Sequence, residues 1–369
     1  MLGSDRVHFA LAFVTAVTTV AAGCGGGGDT ASTGTASSSS SGSGGSGGQG
    51  GSSSTSTATS SSTASSTSTG GLTCTSGEGT VFAASKLPFG EGNSGQWKKV
   101  GVNIDGLTSN AASQDLCQLN SGAFNVTPYP DGDNGIDNSF GKNLLPQILS
   151  LYPSWVTDIN NGINNGFFTV LMKMECLPAT GDVPSFTTKL FGGTATASKP
   201  KFDGTDLWPV APELLSDPTD PESSTILFGN SSVKGADFDS GKNQTFILTV
   251  PIKTMTASTS IKLTLYAAQV TMTLAADRKS ATLGRIGGVL NTEEFVAEMK
   301  KVGYLLGLCG SGLFDGLITS VRQSSDIMAD GTQDTAQVCS GISMGLGFEM
   351  KEVQLGPVGP AAPIGMSCP

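Results

Sequence analysis

The sequence has 369 residues, with 30 acidic against 20 basic side chains and a formal net charge of −10. An acidic chain with few basic clusters is a poor partner for nucleic acid or for anionic lipid headgroups, both of which are held by Lys and Arg. Its one histidine, His8, lies in a segment expected to be removed, so Ser-His-Asp and Cys-His nucleophile systems and histidine-ligated zinc, copper or iron are excluded from the mature protein.

The chain opens with Arg6 and an apolar run from Val7 to Ala22. That run falls short of the roughly 20 residues a membrane-spanning helix needs, and it suits the core of a signal peptide. Ala21-Ala22-Gly23-Cys24 follows. This motif resembles the lipobox of bacterial lipoproteins. The resemblance implies a signal peptide over 1–23, cleavage before Cys24, and lipid on the sulfur and amine of Cys24. It also implies the outer membrane, because Gly25 rather than Asp follows the cysteine. Ordinary secretion, with cleavage after Val20-Ala21-Ala22, is the alternative. Cysteine parity favours the lipid. With Cys24 set aside, Cys74, Cys117, Cys176, Cys309, Cys339 and Cys368 remain, an even set for disulfides in an oxidising compartment.

Residues 25–71 are Ser, Thr and Gly apart from Asp29, Gln49 and four alanines. Such a segment has no apolar surface to offset the entropy of ordering it, so a tether over 24–71 with a span of roughly 35–40 Å is expected. Residues 72–369 are then the globular part, as one β-rich domain or two subdomains.

Within it, over Phe167–Cys176, Phe168, Val170, Met172, Met174 and Cys176 alternate with Thr169, Lys173 and Glu175, with Leu171 the exception, which predicts a half-buried strand. Gln244–Ile252 and Ser260–Ala275 are rich in Thr, Val, Ile and Leu, and both read as strands. The second ends in the turn Ala276-Asp277-Arg278-Lys279, with Ser280–Leu290 as its hairpin partner. Ile342–Val353 reads as a closing strand. Asn291, with carboxylates two and three residues on, reads as a helix N-cap, and Phe295, Met299, Val302 and Leu306 share one face after it. Further helices are expected over Leu313–Arg322 and Asn143–Tyr152. The fold class is mainly β, a β-sandwich or related two-sheet domain with a few peripheral helices and disulfides. Cys309 with Cys339 is the favoured bridge, because the two bracket one helical segment.

Two loops carry paired carboxylates around a glycine: Asp131, Asp133 and Asp137 beside Gly135, and Asp237, Asp239 and Asn243 beside Gly241. Hard cations want such oxygen sets. The first loop resembles the calcium loops of EF-hand and thrombospondin-type repeats, but Gly135 stands one place early and Lys142 stands where a bidentate Glu belongs. An irregular structural calcium loop is the expectation, with a plain solvated turn as its alternative. No cofactor is required, and calcium is possible. Asp326, Asp330 and Asp334 read as an exposed loop. Trp97, Trp155 and Trp208 read as core or rim anchors, and Gly303, Gly307 and Gly310 as close packing or caps.

The function expected is a surface-exposed lipoprotein with a non-catalytic binding or adhesion-type domain. Its partners would be the lipid bilayer, through Cys24, and an extracellular glycan or protein. The alternatives are a glycan hydrolase using paired carboxylates, with Glu175 the best-placed acid, and a structural envelope protein.

Overall fold

The computed structural model describes residues 78–92, 95–120, 130–253 and 258–369. Cys24 with its lipobox, the Ser/Thr/Gly segment and Cys74 lie outside the described residues. The strands are β1 (Gly79–Lys86), β2 (Thr169–Glu175), β3 (Val183–Gly193), β4 (Leu207–Val210), β5 (Ile226–Lys234), β6 (Asp237–Asp239), β7 (Gln244–Lys253), β8 (Ser258–Leu274), β9 (Ser280–Asn291) and β10 (Gly341–Val358). The helices are α1 (Leu145–Leu151), α2 (Trp155–Asn164), α3 (Thr292–Leu305) and α4 (Gly312–Gln323). The protein is mainly β with few helices, as its alternating patterns predict.

The ten strands form one mixed sheet, and its pairings return on themselves. β1 pairs with β2, β2 with β3, β3 with β5, β5 with β6, β6 with β8, β8 with β9, β9 with β10, and β10 again with β1, every step antiparallel. The sheet curls until two walls face each other across one apolar core. Phe82, Met172, Leu190, Phe228, Phe238, Val270, Ile286 and Leu346 point into that core.

β8 shows how sequence sets this face. Ile261, Leu263 and Leu265 are buried at odd positions, then Ala268, Val270, Met272 and Leu274 at even ones. A slip of one residue would turn the second set outward. A bulge between Tyr266 and Gln269, with Ala267 at φ 47°, takes up the extra residue and keeps both sets facing in. Among the described residues β7 pairs only with β8, so Pro251 sits on an edge strand, where its missing N–H costs least.

A second, smaller core lies on the other side of β1, β2 and β10. Val81, Ala83, Leu171 and Val353 pack there against Trp208 and Val210 of β4, which lies parallel to the end of β10. This corrects the expectation of a half-buried β2. Both of its faces are covered, and Thr169 and Lys173 are buried. Lys173 is held by Glu222 at 2.5 Å, and its register partner on β3, Lys189, is held by Glu175 at 2.7 Å.

Helix α3 begins as expected: the Asn291 side chain accepts from the Glu293 and Glu294 amides. It packs on α4, where a Cβ on Gly303 would lie 2.4 Å from the Phe314 ring, so only glycine allows the approach. Gly307 and Gly310, both at positive φ, follow in the connection between the helices. The favoured disulfide is corrected. Cys339 bonds Cys117, and Cys309 bonds Cys368. The chain entering β10 pairs with the 117–118 segment, through the Gln118 amide to Gln337 and the Cys339 amide to Gln118, which carries Cys339 away from α4. Cys176 is disulfide-bonded as well.

Candidate functional site: a buried aspartate network and an amide-lined cleft

Residues 100–109 and 130–143 lie flat over the middle of β9 and β10. Gly345 and Gly287 permit it, since a Cβ on Gly345 would stand 2.1 Å from the Val100 carbonyl and one on Gly287 2.5 Å from the Val102 side chain. Asn138 fastens the layer. Its oxygen accepts from the Gly345 and Gly141 amides at 2.9 Å, and its amide donates to the Trp97 and Val100 carbonyls. Ser139 accepts from Asn143, donates to the Ser324 carbonyl, and its backbone N–H donates to the Ser343 hydroxyl. The Ser343 hydroxyl donates in turn to Asp326 Oδ2 at 2.6 Å, and the Ser343 amide to Oδ1 at 2.8 Å. Asp326 is buried, which corrects its reading as part of an exposed loop. Asp330 and Asp334 do sit in exposed turns, accepting from the Thr332 and Ala336 amides.

Asp137 is also buried and accepts from the Ile104 amide at 2.7 Å. Burial, with Asp105, Asp326 and Asp131 adding like charge, pushes its carboxyl up to about 9. Burial likewise pushes Asp326 up to about 7, opposed by its bonds from Ser343. Asp131, which accepts from the Ser109 amide at 2.5 Å, is raised by burial too. Lys142 is lowered to about 8 by burial, with Asp131 and Asp326 pulling the other way. Its ammonium sits 5.2 Å from the centre of the Trp97 ring.

The residues expected to hold calcium are therefore placed as follows. Asp131 is half-buried, Asp133 is exposed at the head of a 3-10 turn, and Asp137 is in the interior. Asp131 and Asp137 each receive a backbone N–H from the 104–109 segment. Asp237 accepts from the Thr273 hydroxyl, and Asp239 from the Gln269 side chain and the Gly241 amide. Asn243 sits at φ 59° in the turn to β7. Among the described residues no group of three or more Asp, Glu, His or Cys side chains is placed to hold a metal ion.

Sequence reasoning missed a cleft of about 690 Å³ between α2, the end of β1 and the middle of β10. Val156, Ile159 and Ile163 are the buried stripe of α2, and Thr157, Asn161 and Asn164 are exposed on its cleft side. Asn160 joins the helix to the chain after β1, accepting from the Leu87 amide and donating to the Leu87 carbonyl. Lys86, Glu91 and Glu349 form the opposite wall. The signal for α2 was present in the spacing of Val156, Ile159 and Ile163, which is helical. Trp155 leans on Phe89 with ring centres 4.8 Å apart. Trp208 is buried and donates to the Thr194 carbonyl.

No protein-family model, no curated protein and no solved structure matches the chain.

Proposed function

We propose that the protein is an exported lipoprotein, anchored through Cys24, that displays a non-catalytic binding or adhesion-type β domain outside the cell. The observation that carries this reading is the cysteine chemistry. Cys117, Cys176, Cys309, Cys339 and Cys368 are disulfide-bonded, a state that fits an oxidising compartment. Seven cysteines leave one outside any intrachain bridge, and the lipobox position marks Cys24 as that one. The Ser/Thr/Gly segment that follows adds reach and no chemistry.

Growth with an alkyne-tagged fatty acid tests the anchor. Label is expected on the wild-type chain and in the membrane fraction, and both should disappear in Cys24→Ala. An unlabelled wild type, or equal labelling of the variant, would contradict the anchor.

A further inference from the structure

We propose that the cleft between α2, the end of β1 and the middle of β10 binds a neutral glycan. The proposal rests on the binding-domain reading and gives it a place and a ligand class. A volume of about 690 Å³ is within the range of small-ligand clefts. Thr157, Asn161 and Asn164 project from one side of α2 at helical spacing, and all three are exposed. Asn160, next to them, is spent on holding Leu87, so the helix is fixed by one amide and presents the others.

Amide and hydroxyl side chains both donate and accept, which is also the chemistry of a sugar hydroxyl. Glu91 and Glu349 on the facing wall are acceptors for hydroxyl donors. Leu149 and Pro153 give a small apolar surface for the C–H face of a sugar ring. Glu91 and Glu349 against the one lysine, Lys86, which lies 3.4 Å from Glu349, leave this wall with one net negative charge, and that disfavours an anionic ligand. A hydrocarbon ligand would leave the amides without partners, at a cost that disfavours it.

The test uses the full chain carrying Cys24→Ala, oxidised, on an array of neutral hexose and N-acetylhexosamine oligosaccharides together with amine-bearing and carboxylate-bearing sugars, with calorimetric titration of whatever binds. At least one neutral oligosaccharide is expected to bind, and Asn161→Ala/Asn164→Ala should weaken it by about tenfold or more, as loss of two hydrogen-bonding side chains implies. The variant's melting curve should match the parent's, since neither residue is buried. The proposal is overturned if no neutral oligosaccharide is retained, if the variant binds as tightly as its parent, or if only amine-bearing cationic sugars bind. Retention of a charged sugar alone would overturn the neutral ligand class and leave the binding-domain reading standing, whereas an array with no retained sugar at all would count against both.

Discussion

Asp137 and Asp326 are carboxyls that the folded chain prefers to keep protonated. Their ordinary value is 3.8, and folding raises them to about 9 and about 7. Below the ordinary value both folded and unfolded chains hold these protons, and the stability they allow is fully present. As pH rises, the unfolded chain releases protons that the folded chain retains, and stability is lost until the folded groups ionise. Melting temperature is therefore expected to fall from about pH 4 to about pH 8, above which Lys142, lowered to about 8, offsets the loss from Asp137, each carboxyl contributing on the order of 1 kcal/mol per pH unit where its two states differ. Asp137→Asn keeps an oxygen for the Ile104 amide and should flatten the alkaline part of that slope. An unchanged slope in the variant would show that Asp137 titrates normally. The Asp131–Asp137 motif was legible in the sequence as a tight acidic turn, but the hydrogen-bond partners of its carboxylates were not, since the backbone N–H groups of Ser109 and Ile104 come from 22 and 33 residues away.

Elements with a clean period were legible. β7, β8, β9 and β10 fall close to their expected bounds, as do α3 and α4, because alternation and helical stripes are local. β2 was placed correctly but misread as half-exposed. Its second covering comes from β4 and the Glu222 loop, far along the chain, and a lysine on a strand suggests solvent until its carboxylate partner is known. The expected helix over Asn143–Tyr152 is shortened to α1, preceded by a π turn over Phe140–Leu144. Disulfide pairing was the least legible feature, since it follows tertiary neighbours rather than spacing. Its consequence can be measured. Cys117–Cys339 closes a separation of 222 residues and Cys309–Cys368 one of 59. On the chain-entropy model these bridges are worth about 5 and about 4 kcal/mol. In urea, Cys117→Ser/Cys339→Ser should therefore lose more stability than Cys309→Ser/Cys368→Ser. The reverse order would mean that strain or residual structure outweighs loop closure.

At the scale of the whole molecule, the first and last strands are neighbours: Val81 of β1 pairs with Val353 of β10. The ring of strands closes only when both are present, so the described β structure stands or falls as one body and offers a protease few entry points. The Ser/Thr/Gly segment ahead of it has no apolar residue larger than alanine and no Lys or Arg. The proposed display of a compact domain outside the cell on this segment is tested with intact cells treated with proteinase K, which does not need a basic residue. A soluble, disulfide-bonded fragment that begins near residue 72 and runs to Pro369 is expected in the medium. A chain that stays intact until the cells are broken would contradict display. Release only as small peptides would contradict the compact domain.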